Sequence, residues 1–197
     1  MTQPVKLNFK IYQGSTFNEV LRWESSRKVY KAITGITQAA PTIVTATAHG
    51  VPDGWRVKIT NVGGMTEINS TEDYKVATYL TDNTIELNAV NSLGYKPYTT
   101  GGVIEYNEPL DLTGYTARMQ IREKLDSTTF IKELTTDLNG GIVIDTVNFK
   151  ITLTISATDT AAFTFGSAVY SLELISSTGV VSPLLNGNLT LVKEVTR

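Results

Sequence analysis

The residue best suited to catalysis stands alone: His49 is the single histidine of the 197-residue chain. A Ser-His-Asp site would need it, and serine and aspartate are plentiful, yet no Gly-x-Ser-x-Gly elbow occurs. It precedes Gly50 in the turn-rich run His49-Gly-Val-Pro-Asp-Gly54, and it reads as structural or solvent-exposed rather than catalytic. One histidine cannot build a His-rich zinc site. The absence of cysteine excludes disulfides, thiolate zinc, iron–sulfur clusters and a thiol nucleophile. Glu105, Glu108 and Asp111 form the densest group of acids, and calcium is the chemistry such a group offers. No Asp-x-Asp-x-Asp-Gly loop is present, so they read as linker and turn residues. The pairs Gly63-Gly64, Gly101-Gly102 and Gly140-Gly141 lack the strand–glycine–helix context and the lysine of a phosphate loop, and read as turns. No catalytic residue, cofactor or metal is expected, and the chain is not expected to be an enzyme.

Binding residues are more plentiful. Arg118, Arg122 and Lys124 lie close together, and nucleic acid is one partner such a patch suits. The formal net charge of −2 argues against a general pull toward nucleic acid or an anionic membrane, so an acidic protein partner is the better reading. Tyr74, Tyr79, Tyr95 and Tyr98 have faces that stack on a sugar, while core or strand-surface roles are the commoner use of tyrosine. A host-surface glycan is therefore carried only as an alternative partner. No apolar run of 18 residues occurs, so no membrane-spanning helix is expected, and the first residues open no run of signal-peptide length.

The basic residues must be placed by a strand. From Tyr115, Ala117, Met119 and Ile121 alternate with Thr116, Arg118, Gln120 and Arg122, the period of a half-buried strand with one wet face. Leu112-Thr-Gly-Tyr115 turns the chain into it. Val5 to Ile11 alternate as a first strand. Phe17, Leu21 and Trp23 suggest a second, with Val20 out of phase; a bulge or an exposed contact residue would each explain that. From Ile33 the texture turns Thr-, Asn- and Gly-rich. Ile36–Thr47 reads as a hairpin around Pro41. Strands follow on Trp55, Val57 and Ile59, on Tyr74, Val76 and Thr78, and on Ile85, Leu87 and Ala89. Short strands at this spacing suggest a small β-barrel or sandwich. Further strands are expected at Phe130–Leu134, Ile142–Ile144, Phe149–Ile155, Tyr170–Leu174 and Leu189–Val195. Ser156-Ala-Thr-Asp159 has the spacing of a capping box and predicts one helical turn through Ala162.

Connectivity follows from count. Two strands before residue 33 cannot hide an apolar face, and the strands after 104 supply the rest. The expected fold is all-β: an antiparallel β-sandwich built from both chain ends, residues 1–33 and 104–197, with a small β module, residues 34–103, inserted at a loop. Insertions at surface loops cost little, since closure entropy grows slowly with length.

The frame motifs Gly14-x-Thr16-Phe17, Pro109–Arg122, Gly141–Asp145, Ile151–Ala157, Val169–Leu174 and Gly187–Arg197 resemble small structural proteins of tailed-bacteriophage virions. Their pattern is also similar to the N-terminal sandwich of upper baseplate proteins. Within the insert, Ala48-His-Gly50, Gly54–Ile59, Val62–Met65, Tyr74–Val76, Thr84–Leu87 and Tyr98–Gly102 resemble a phage module related to the first catalytic-cysteine half-domain of ubiquitin-activating enzymes. With no cysteine in the chain, no ubiquitin-type chemistry carries over. The resemblance implies a virion component, made in the bacterial host cytoplasm, whose partners are other virion proteins and copies of itself. A tail, neck or baseplate role is expected first, with capsid decoration and a host-surface glycan module as alternatives. Two interfaces are expected: the wet face of Arg118, Gln120 and Arg122, or an open sheet edge at Leu189, Leu191, Lys193 and Val195, assisted by an N-terminal arm from Thr2 to Lys6.

Overall fold

The structure, a computed structural model, describes residues 3–70 and 73–195. It divides into two compact units: Met1–Trp23 with Asp111–Arg197, and Glu24–Leu110. In chain order, β1 (Val5–Lys6), β2 (Phe9–Tyr12) and β3 (Phe17–Arg22) open the first unit. The second unit holds β4 (Glu24–Ala32), β5 (Gly35–Ile36), β6 (Thr42–Thr45), β7 (Trp55–Gly63), β8 (Lys75–Thr81), β9 (Thr84–Leu87) and β10 (Thr100–Pro109). The first unit resumes with β11 (Thr116–Arg122), β12 (Lys132–Thr135), β13 (Ile142–Asp145), β14 (Lys150–Ile155), α1 (Ala157–Ala161), β15 (Ser167–Ile175) and β16 (Val181–Val192).

The first unit is two sheets. One runs β1-β16-β15-β11-β12 with β2 also on β16; the other runs β13-β14-β3. Ala117, Met119 and Ile121 of β11 are buried, as are Tyr170, Leu172 and Leu174 of β15 opposite them. Ile151, Leu153 and Ile155 do the same for β14. Each such side chain contributes roughly 1.5–3 kcal/mol relative to exposure. Phe9 of one sheet meets Phe17 of the other edge-to-face, with ring centroids 5.5 Å apart, so the two apolar faces share a core. The entry turn forms as its residues require: Tyr115 N–H donates to the Leu112 carbonyl at 3.1 Å, and Gly114 takes φ +76°. The Ser156 hydroxyl caps α1 by accepting from Asp159 N–H at 3.1 Å. It also donates to the Asp159 carboxylate at 2.7 Å. That bond and the Lys132 ammonium hold Asp159 below the usual carboxylate range.

The second unit is one seven-stranded sheet, ordered β4-β10-β7-β8-β9-β6-β5. Its buried face carries Val44, Trp55, Val57, Ile59, Ile85, Leu87 and Ile104. The strands at its two edges, β4 and β5, are separated in the chain only by Ile33 and Thr34, so the sheet curls until its edges stand a dipeptide apart. No ladder joins β4 to β5 among the described residues, so of the barrel and the sandwich expected for this segment, the barrel does not close.

Several expectations are corrected. The boundaries at 33 and 104 cut through a ladder: β4 pairs antiparallel with β10 from Val103↔Ala32 to Pro109↔Glu24, so both belong to the middle unit. The run Glu24-Ser-Ser-Arg-Lys is polar on both faces, and hydrophobic periodicity gave no sign of a strand there. Val20 sits in no bulge; β3 pairs with β14 without a register shift, Thr152 opposite Val20, and Val20 lies on the outer face. On β8 the phase is reversed: Ala77 is fully buried and Val76 faces out. The short strand begins at Lys132, leaving Phe130 and Ile131 exposed. The sheets are not wholly antiparallel, because β1 and β2 run parallel to β16. Those parallel pairs also occupy the edge expected to be open. Leu189 and Leu191 are buried, with Phe9 and Ile11 of β2 at their side. Between β1 and β2 the chain hugs Gly187, where a Cβ would lie 1.9 Å from the Leu7 carbonyl oxygen. No other residue allows that approach.

Candidate functional site

His49 is completely buried. Its Nδ1 accepts from Val51 N–H at 2.9 Å, which leaves the ring proton on Nε2, where it is donated to the Thr81 carbonyl at 2.8 Å. The Tyr106 hydroxyl donates to the His49 carbonyl at 2.7 Å. The ring also packs edge-to-face on Tyr79, with centroids 5.8 Å apart. Both ring nitrogens are engaged by backbone, and none is presented to a substrate. The histidine is structural and buried; the alternative of solvent exposure is wrong.

The acids are engaged as well. Glu105 accepts from the Tyr74 hydroxyl at 3.1 Å and lies 3.3 Å from the Lys28 ammonium. Lys28 donates to the same tyrosine oxygen. Burial alone would push the Glu105 carboxyl up, but the hydrogen bonds from Tyr74 and Lys28 outweigh it and hold it low. The bond to Tyr74, against a smaller desolvation penalty, pushes Lys28 up, with Glu105 adding to it. Glu108 faces Arg27 at 3.4 Å, and Asp111 accepts from Thr113 N–H at 2.9 Å within the entry turn. No group of three or more metal-ligating side chains stands together among the described residues.

The tyrosines divide. Tyr74 completes the Lys28–Glu105 cluster. Tyr79 donates to Asp82 at 2.7 Å, and that bond pushes its hydroxyl up. Tyr98 shares its proton between the carbonyls of Gly101 and Ile33, at 3.0 and 3.2 Å. Tyr95 borders a concavity, with Glu67, Asp73 and Lys75. The four do not form one stacking platform.

The wet face of β11 is where the structure is most selective. Arg118 pairs with Glu173 of β15 at 3.0 Å. Gln120 donates to Glu133 of β12 at 2.6 Å. Arg122 donates to the Gln120 side-chain amide oxygen Oε1 at 2.7 Å and to the backbone carbonyl of Ser127 in the following loop. Lys124 is exposed on that loop, its N–H donating to the Ser127 hydroxyl at 3.1 Å. The three residues expected on one face do share it, but two of them are engaged by carboxylates. Leu189 and Leu191 point into the core, while Lys193 and Val195 continue past β16 as exposed residues. Of the expected N-terminal arm, Thr2 lies outside the described residues, and Val5 and Lys6 are strand β1. No helix among the described residues is long and apolar enough to cross a membrane.

Residues 38–107 match the family model of the ubiquitin-activating enzyme E1 FCCH domain. The match covers less than half of the chain and lies wholly within the middle unit. No curated protein matches the chain.

Proposed function

We propose that this chain is a structural component of a tailed-bacteriophage particle, a tail, neck or baseplate protein that joins sub-assemblies or anchors fibres. What supports the reading is how the polar side chains are used. The groups with chemical potential, His49, Glu105 and Arg118 among them, are engaged in holding two β units in shape. A scaffold of that kind works through surfaces rather than through a reaction centre. The match of residues 38–107 to the FCCH-domain model supports the likeness of the middle segment to that half-domain, while the phage reading itself rests on the resemblance of the frame motifs.

The test is stoichiometry. Particles of the phage whose genome encodes the chain are purified, and its copies are counted by quantitative mass spectrometry against the major capsid protein. Copies in sixes or twelves are the expected result, because tail assemblies repeat around a symmetry axis. Copies on the order of hundreds would place it on the head as a decoration protein. Absence from particles overturns the reading.

A further inference from the structure

We infer that the outer face of the six-stranded sheet carries a recognition site for a carboxylate side chain of a partner protein, centred on Arg122. A concavity of about 260 Å³ opens there, lined by Gln120, Arg122, Leu125, Val169, Tyr170, Ser171 and Asn186. The sheet register explains why they meet. Gln120 stands opposite Ser171, Ser171 opposite Asn186, and Arg122 opposite Val169. The loop after β11 folds back when Arg122 donates to the Ser127 carbonyl, and this brings Leu125 to the rim, 92% exposed.

Arg122 is the unbalanced charge of this face. Arg118 has Glu173, and Glu133 is taken up by the Gln120 amide. No carboxylate lies within ion-pair distance of Arg122 among the described residues. Its two internal bonds go to neutral oxygens and fix the guanidinium without neutralising it. A guanidinium has five N–H donors in a planar fork, so donors remain for a bidentate carboxylate. Lys6 and Lys10 are exposed on the same face, Lys6 in register with Asn186 and Lys10 with Thr190. The strands of this face therefore have four cations, Lys6, Lys10, Arg118 and Arg122, against Glu173 and Glu133, and the rim loop adds the exposed Glu123, Lys124 and Asp126, which leaves a small positive excess in a chain whose net charge is −2. Charge complementarity selects an anion. The volume is below the roughly 300–1,000 Å³ of pockets that engulf a whole small molecule, and suits one side chain. Tyr170 also borders the concavity, but its ring is buried and stacked on Phe9, with centroids 5.1 Å apart, so the exposed walls are the aliphatic Leu125 and Val169, which favours an acidic peptide segment over an acidic sugar. The inference stands whether or not the chain is a virion component.

The test uses the full chain labelled with ¹⁵N and two capped pentapeptides, acetyl-Ala-Val-Glu-Leu-Ala-amide and its glutamine counterpart, with glucuronic acid as a third probe. Saturable shifts of Gln120, Ser171, Asn186 and the Arg122 Nε–H by the glutamate peptide are expected. Affinity should be at least about tenfold weaker for the glutamine peptide. Arg122→Gln should abolish the shifts while the rest of the spectrum is unchanged. Should that variant fail to fold, Leu125→Ser, at an exposed loop position, should still fold and bind severalfold more weakly. Equal affinity for both peptides, preference for glucuronic acid, no saturable shift at millimolar peptide, or an unchanged affinity of Leu125→Ser each overturns the inference.

Discussion

At the scale of single residues, His49 ties two loops of the second unit together through backbone bonds on both ring nitrogens. Truncation to alanine leaves Val51 N–H and the Thr81 carbonyl without their partner, in a site that water does not reach. A buried polar group left unpaired costs about 1–3 kcal/mol. His49→Ala should therefore lower the urea midpoint of unfolding followed by tryptophan fluorescence, and His49→Gln, able to restore one bond, should lower it less. An unchanged midpoint in the alanine variant would show that these bonds carry no stability. The isolation of His49 and the glycine after it suggest a structural or an exposed residue. Its burial was not legible, because the partners come from Thr81 and Tyr106, far along the chain. The same limit hid the pairing of Arg118 with Glu173: a strand's alternation says which side chains share a face, not which charge the neighbouring strand sets beside them.

Elements were legible in proportion to their asymmetry. β11, β14 and β15 alternate strictly between buried and wet positions, and the sequence pattern locates them directly. β4 has no apolar face to betray it, and the first half of β16 interrupts its pattern with Pro183 and the bulge beside Glu173. β8 was found but read out of phase, because its most β-prone residue, Val76, faces solvent. Parallel pairing of β1 and β2 with β16 joins the two ends of the chain, and local pattern has no information about so distant a partner. This pairing changes what a truncation means. Removing residues after Asn188 deletes Leu189 and Leu191 from between β2 and β15 rather than trimming a free edge. Leucine-to-alanine changes in cores cost about 2–5 kcal/mol each, so loss of both side chains together with the strand that carries them takes most of the roughly 5–15 kcal/mol that holds a domain folded. The truncated chain should lose the amide dispersion of the first unit in a ¹⁵N spectrum. Retention of that dispersion would mean β16 ends the sheet weakly.

At the scale of the whole molecule, each unit has its own buried core and its own complete set of ladders. Two separate chains test whether each is self-sufficient: residues 24–110 alone, and a chain in which Trp23 is joined to Asp111 through a short Gly-Ser bridge. Both should unfold cooperatively in urea. A non-cooperative transition in the bridged chain while the full-length protein unfolds cooperatively would mean that the first unit requires the second. The two-unit plan was legible in the change of texture near residue 33, although the texture marks where polar turns begin and not where the ladder begins. The ladder itself has one more consequence. Glu24 and Pro109 stand opposite each other in register, so the middle unit takes in and returns the chain one strand spacing apart, roughly 5 Å. A tight hairpin presents the same gap. Any β-protein with a surface hairpin can therefore accept this cassette without moving its own strands, and recombination that transfers the segment between genes has a geometrically neutral place to put it.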